Sequence, residues 1–317
     1  MEFRPFGNTG LQISALSLGT AAFGMNYGIS PDASKTGGLP PPSDADCAML
    51  VQCALDSGIN LIDTARAYGD SEVVLGEALQ GQRQRPFIAT KVHCLDRRGA
   101  PLRGSALRAR VQASVRKSLE ALKTDHVDML LIHSAPPTLL QSNEVIDVLR
   151  EVKSRGWARY VGASTYGQES PQLAIEHDLD LIQVAYNVFD RRLEDTILPL
   201  ARQHGVAVVV RSVYLKGALT ERGDDLPEHL GQLTDLSRRF RQIAAQYELA
   251  PADLALRFVL TNPAVASALV GVRSVAELDL ALQSATQGPL PPNILADLDP
   301  LRTDDVQLVD PSRWGIP

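Results

Sequence analysis

Cysteine is scarce in this chain. The three residues Cys47, Cys53 and Cys94 cannot build a disulfide framework, and no CxxC or Cys/His ligand spacing surrounds them, so neither a stapled scaffold nor a zinc site is expected. Free thiols fit a reducing compartment. Long apolar runs are missing too, and no window approaches the ~18 uninterrupted apolar residues of a membrane span. The opening residues place Glu2 and Arg4 ahead of Pro5 and Gly7 rather than an apolar stretch, unlike a secretory signal. A cytoplasmic protein without membrane contact is expected. Excess basic charge is absent as well. Lys+Arg of 31 against Asp+Glu of 37 leave a net charge of −6, which exerts no general pull on nucleic acid or anionic membrane.

What is present is ordinary for a folded chain. The 317 residues are 44% hydrophobic and 21% charged, enough to bury a substantial core. Residues 3–14 read as a hairpin, with Asn8-Thr9-Gly10 supplying the turn. Beyond it, strands are expected at 13–19, 59–63, 87–91, 127–133, 159–163, 181–185, 206–210 and 265–270. Helices are expected at 43–57, 72–79, 105–122, 143–155, 171–177, 194–204, 234–247, 252–260 and 274–285. In 105–122, Leu107, Val111, Val115, Leu119 and Leu122 recur at helical spacing. In 127–133, Met129-Leu130-Leu131-Ile132 is apolar on both faces, as in a buried parallel strand. Pro171 is expected to open its helix.

Short connections make these strands parallel with right-handed crossovers. Eight strand–helix units point to a closed (β/α)8 barrel, one unit spanning residues 1–317. The runner-up is an open doubly wound sheet, which usually carries GxGxxG after its first strand. Here that strand ends Leu18-Gly19-Thr20-Ala21-Ala22-Phe23-Gly24. Three segments are longer than the other connections: 21–42, 212–233 and the tail 287–317. The first two leave C-terminal strand ends, where barrels build their sites, and are expected to wall a pocket with Phe23, Met25 and Tyr27 near its mouth. The acidic tail either closes over the barrel or hangs free. The basic stretch 97–117 is expected to be a solvated helix face.

Polar residues at strand ends are the natural candidates for chemistry in such a fold. They are Thr20, Asp63, Lys91, His133, Ser164, Gln183 with Asn187, Arg211 with Ser212, and Arg273. Asp63, Lys91 and His133, with Tyr68 five residues beyond Asp63, suit acid–base work. An ammonium beside a phenol favours the phenolate and makes the phenol a readier proton donor. A carboxylate would fix the ammonium, and a histidine would orient a carbonyl oxygen. Alone, each residue has a duller account as a satisfied strand-end or loop group. Together they describe a proton donor with its tuning partners. His93 shares the strand face of Lys91, but no metal partners accompany it.

These motifs resemble the aldo-keto reductase superfamily. Residues 60–69 (Asn-Leu-Ile-Asp-Thr-Ala-Arg-Ala-Tyr-Gly), with Ser71-Glu72 and Leu75-Gly76, are similar to the family's first signature. Ala89-Thr90-Lys91 is similar to its lysine strand, and Asp128 to His133 to its histidine strand. Gly162-Ala163-Ser164 and Ile182 to Asn187 are similar to its nicotinamide-side strands, and the opening hairpin to its barrel plug. The resemblance implies that Tyr68 is the general acid, assisted by Lys91 and Asp63, with His133 orienting the substrate carbonyl. It implies that Ser164 and Gln183 hold the nicotinamide carboxamide, and Gly19, Thr20 and Thr165 are expected among the cofactor-binding residues. Thr165 stands where the family usually has asparagine. Arg211 replaces an aromatic residue that often stacks on the nicotinamide, and a planar guanidinium stacks too. Ser212, Tyr214 and Gly217 would approach the pyrophosphate. Gly271, Arg273 and Ser274 would meet the adenosine phosphate. Glu277 falls near the ribose 2′ position, where a carboxylate repels a 2′-phosphate, whereas Arg273 argues the other way. NADPH is expected on family grounds, with NADH close behind.

The expected activity is reduction of an aldehyde, ketone or sugar-like carbonyl, or the reverse oxidation, without a metal. Two rivals differ in class: a non-catalytic nicotinamide-binding regulatory subunit, and a cofactor-independent lyase or isomerase using Lys91.

Overall fold

The computed structural model describes residues 1–28, 38–82 and 84–315. The expected wall 21–42 therefore lies outside the described residues over 29–37. Strands β1 (Phe3–Pro5) and β2 (Gln12–Ser14) form the antiparallel hairpin. Strands β3 (Leu16–Gly19), β4 (Leu61–Asp63), β5 (Phe87–Val92), β6 (Val127–Ala135), β7 (Ala158–Thr165), β8 (Leu181–Ala185), β9 (Ala207–Arg211) and β10 (Ser267–Gly271) close into a parallel barrel in chain order. The (β/α)8 architecture is as expected. Among the described residues no helix is long and apolar enough to cross a membrane.

The period of two along each strand sorts its side chains into two cores. Leu61, Ala89, Met129, Leu131, Leu181 and Val209 fill the barrel interior. Ile62, Ile88, Leu130, Ile132, Ile182 and Val208 face the surrounding helices. The double apolar character of β6 follows from serving both. Phe6 and Ile13 of the hairpin join the interior cluster, and Asn8 N–H donates to Gly205 O at 2.7 Å just ahead of β9. The hairpin thus plugs the N-terminal end, leaving the opposite rim open.

Several boundaries differ from expectation. The strand expected over 13–19 is divided between two sheets. Gln12–Ser14 pairs with β1, and the barrel strand starts only at Leu16. Ser14 marks the break, its hydroxyl donating to Leu16 O and its amide to Asn60 Oδ1. The helix expected to open at Pro171 starts at Glu169 and carries Pro171 inside its first turn, where a missing N–H costs no helical bond. Loop 212–233 holds three single 3₁₀ turns, Leu215–Gly217, Glu221–Asp224 and Glu228–Leu230.

The C-terminal tail packs against the barrel as far as it is described. It forms the helices Pro292–Leu298 and Val306–Val309 and buries Trp314, which is 1% exposed. A ring nitrogen of His229 lies 2.9 Å from Trp314 O, and Arg191 pairs with Asp299 at 2.6 Å. The basic helix Gly104–Ala121 is partly neutralised, with Arg108 paired to Glu151 of the helix Asn143–Ser154 at 2.8 Å.

Candidate active site

Adjacent strand ends bring the acid–base residues together. In the β4–β5 and β5–β6 registers Asp63 pairs with Ala89, and Lys91 with Leu131. Lys91 is 1% exposed and Asp63 4%. The ammonium donates to Asp63 Oδ1, to Thr64 O at 3.0 Å and to Tyr68 Oη at 3.4 Å. Its three N–H groups are thus all engaged. Burial works against the charged form, but the Asp63 carboxylate and Tyr68 outweigh it and raise Lys91 above its ordinary pKa. The second carboxylate oxygen of Asp63 accepts Gln183 Nε2 at 2.8 Å.

Tyr68 is held by its loop. Its N–H donates to Ala65 O at 3.0 Å, and its carbonyl accepts Ser71 N–H at 3.0 Å. Ser71 Oγ lies 2.7 Å from Thr20 Oγ1 and 2.9 Å from Thr64 Oγ1, tying the loop to the end of β3. Glu72 is buried between Thr90 Oγ1 at 2.6 Å and Arg66 at 2.8 Å. Two glycines permit a backbone crossing beneath Tyr68. A Cβ on Gly24 would stand 2.0 Å from Tyr68 O, and one on Gly69 (φ +56°) 2.1 Å from Gly24 O. Gly24→Ala is therefore expected to cost about 1–3 kcal/mol by overpacking, and to lower turnover by moving Tyr68. Denaturant unfolding and steady-state rates measure both. A variant with unchanged stability would mean the crossing relaxes freely.

His133 stands beside a β-bulge. The β6–β7 register shifts between Ile132 and Ala135, and Ser134 takes a left-handed φ of 50°. Bulges at barrel rims re-aim side chains next to active sites. The imidazole meets Tyr68 edge-on, with centroids 5.7 Å apart at 89°. Burial first, then the charges of Lys91, His93 and Arg211, push its pKa down to about 2. His133 is consequently a neutral hydrogen-bonding group at any physiological pH. Its Nδ1 is buried and has no hydrogen-bond partner among the described residues.

A cavity of about 780 Å³ opens over these groups. Asp63, Tyr68 and His133 line it, with Lys91 directly behind them. Gly19, Ser164 and Gln183 line it from their strand ends, and Tyr27 from the first long connection. Arg211, Ser212, Tyr214 and Gly217 line it after β9. Gly271, Arg273 and Glu277 line the far side.

Five expected site residues do not line the cavity. The Thr20 hydroxyl is spent on Asp63 O and Ser71. Phe23, in the short helix Ala21–Gly24, packs into the outer core at 2% exposure. Met25 follows that helix and does not line the cavity. Ser274 caps the helix Val275–Thr286 by accepting Glu277 N–H at 3.2 Å. Thr165 is buried. Its carbonyl accepts Arg211 Nη2 at 3.0 Å, and its hydroxyl has no partner among the described residues.

Some features were missed from sequence. The Arg211 guanidinium lies 4.1 Å over the Tyr166 ring, so one of its faces is already covered. Arg222 reaches Glu277 Oε1 at 3.3 Å, while Glu277 Oε2 accepts Arg273 N–H at 2.8 Å. Arg273 donates to Pro40 O through Nη2, and its buried Nη1 has no partner among the described residues. Asn187 donates to Ser212 O at 3.1 Å and helps fix the left-handed Ser212 (φ 61°). Apart from the local Arg273–Glu277 contact, these cross long stretches of chain and leave no local pattern.

The residues fit a nicotinamide dinucleotide. The cavity runs from the strand ends around Tyr68 to the capped N-terminus of Val275–Thr286, which suits anionic groups. Arg273 lines the cavity there with a guanidinium nitrogen that has no partner among the described residues, and a Cβ at Gly271 would meet none of the described atoms within 4 Å.

The sequence profile of the Aldo/keto reductase family matches residues 15–302. Aldo-keto reductase YhdN of Bacillus subtilis is 30% identical over 301 residues, covering 88% of this chain and 87% of that one. The NADH-specific methylglyoxal reductase of Escherichia coli is 29% identical over 324 residues, covering 90% and 96%. Among solved structures, the holo form of an aldo-keto reductase from Bacillus halodurans matches with a TM-score of 0.77 at 25% identity, covering 96% of this chain and 97% of that one.

Proposed function

Because the chain belongs to the aldo/keto reductase family and is an NAD(P)-dependent oxidoreductase, we propose that it reduces a small or sugar-like aldehyde or ketone, with Tyr68 as the proton donor. The reverse oxidation would use the same groups. The observation that carries this reading is the meeting of the Tyr68 hydroxyl, the Lys91–Asp63 pair and the neutral His133 at one cavity wall. A small dicarbonyl of the kind named for the E. coli relative is a natural first substrate.

The reduced nicotinamide, when bound, supplies hydride to the carbonyl carbon. Tyr68 delivers the proton to the carbonyl oxygen. Lys91 donates a hydrogen bond to the Tyr68 oxygen as that oxygen gains charge. Asp63 keeps the ammonium fixed. His133 orients the carbonyl through a ring N–H. Gln183 gives its amide nitrogen to Asp63, which leaves its side-chain oxygen to accept from a carboxamide. Ser164 joins it, and Ser212, Tyr214 and Gly217 offer groups to the pyrophosphate. A Schiff-base lyase fits less well, because it needs an uncharged amine and Lys91 is a charged, fully engaged ammonium.

The adenosine end favours NADH. The family resemblance leaned to NADPH, but the Glu277 carboxylate lines this wall and already holds Arg222 and the Arg273 amide. A ribose hydroxyl would donate to it, whereas a 2′-phosphate would have to displace the Arg222 contact. Titration with each cofactor, followed by quenching of protein fluorescence, tests the reading. NADH is expected to bind more tightly. Binding of neither at millimolar concentration would overturn the oxidoreductase reading.

Glu277→Arg exchanges a repelling charge for a charge-assisted hydrogen bond worth about 1.5–3 kcal/mol. The NADPH-to-NADH affinity ratio should therefore rise by about ten-fold or more. Any general damage to the helix cap would affect both cofactors and cancel in the ratio. An unchanged ratio would place Glu277 away from the 2′ position.

A further inference from the structure

His93 follows β5 by one residue. Since Lys91 pairs with Leu131, His93 and His133 are cross-strand neighbours at one level and on one face. Their imidazoles stack, with centroids 4.5 Å apart and planes 19° from parallel. Histidines at working sites are commonly oriented by a hydrogen bond to the second ring nitrogen. His133 Nδ1 makes none among the described residues. The plane of its ring is set instead by two ring contacts, the stack with His93 and the edge of Tyr68.

We propose that His93 is the positioning residue for His133, holding the imidazole plane that meets the substrate oxygen, and that protonation of His93 releases this hold in acid. The proposal rests on the reading that His133 hydrogen-bonds the carbonyl. His93 is exposed, so a proton reaches it from solvent. The charged groups around the pair are cations. Lys91 stands on its own strand, Arg110 on the helix Gly104–Ala121, and Arg211 faces His133 from β9. Asp63 is occupied by Lys91 and Gln183. A charged His93 would therefore gain more from water than from the stack. Partial burial, then Arg110, hold His93 below the ordinary histidine pKa. The stack accordingly stays neutral at neutral pH and is disturbed only on the acid side.

Three variants and one spectrum test this. Small misplacements of catalytic groups cost up to about 100-fold. His93→Ala, which removes the stack, should lower carbonyl kcat/KM by about ten-fold at neutral pH and leave the cofactor Kd unchanged. His93→Phe, which keeps a flat ring without a proton, should restore most of that loss and lack the acidic limb of the wild-type kcat/KM profile. His93→Gln, polar but unable to stack, should behave like His93→Ala. Wild-type kcat/KM in His93→Ala, or an acidic limb that survives in His93→Phe, would overturn the proposal. The His133 ring-proton resonance gives a readout independent of turnover. It should follow an acid titration in the wild type and stay flat in His93→Phe, and the opposite result defeats the positioning role. A wild type that turns over no carbonyl would defeat the reductase reading itself, while the resonance still decides whether His93 governs His133.

Discussion

Tyr68→Phe should abolish carbonyl reduction while leaving the cofactor Kd within about two-fold of wild type. A positioned general acid contributes typically ~10²–10⁴-fold, so a fall in kcat of about 10³-fold is expected. The substitution is clean because it removes one oxygen and little else. The phenyl ring keeps the edge contact with His133 at 5.7 Å. Lys91 loses the 3.4 Å acceptor but keeps the Asp63 carboxylate and Thr64 O, so no buried charge is stranded. The backbone crossing of Gly24 and Gly69 does not involve the side chain. Stability should therefore change little, and the lost rate reports proton donation. Steady-state turnover, with cofactor titration by fluorescence, measures both quantities. A variant that reduces carbonyls within about ten-fold of the wild-type rate would remove Tyr68 as the acid. A protein whose only property is nicotinamide binding would not distinguish Tyr68→Phe from wild type.

The barrel was readable because its signal is repeated. Strand β6 shows it most plainly, since Met129 and Leu131 fill the interior while Leu130 and Ile132 pack under helices. A run apolar on both faces has few other uses. The strand-end rule brought Asp63, Lys91, His133 and Gln183 into view as neighbours because parallel strands deliver their C-terminal ends to one rim. At Thr20 the polar side chain at the rim ties β3 to Ser71 instead of lining the cavity. The rule also could not see Phe23 being carried into the outer core by a four-residue helix. The bulge that aims His133 depends on a left-handed Ser134, and serine has no preference that announces it. The Arg222–Glu277 contact joins residues 55 apart through a loop of 3₁₀ turns, which are too short to leave a period. Trp314 lies in a tail whose composition left open whether it packs or hangs free, and it is anchored through Gln307 and His229. Local patterns place elements, and contacts between distant segments decide the details of the site.

Lys91→Met should be the most damaging single change to stability. It leaves the Asp63 carboxylate 4% exposed, with the Gln183 amide at 2.8 Å as its one remaining side-chain partner among the described residues. Removing one member of a buried pair typically costs about 3–5 kcal/mol, because the other charge stays behind without compensation. Asp63→Asn should cost less. The ammonium would keep Thr64 O and Tyr68 and gain an amide oxygen in place of the carboxylate. The double variant Asp63→Asn/Lys91→Met removes both charges and should recover much of the Lys91→Met loss, giving a coupling energy of up to about 3 kcal/mol between the two sites. Activity should follow a different order. Lys91→Met and the double variant both lack the N–H that supports the Tyr68 oxygen, so both should be nearly inactive, and Asp63→Asn should retain more turnover than either. Recovery of stability without recovery of rate would separate holding a charge from serving the proton donor. The pH dependence agrees in sign. A lysine raised on folding contributes its full stability below the unfolded value near ~10.4 and loses it only as pH climbs through the higher folded value. The cycle measured by denaturant unfolding should therefore give the same coupling at mildly acidic and mildly alkaline pH. A double variant no more stable than Lys91→Met would mean that the carboxylate finds other compensation and that the two charges do not act as one unit.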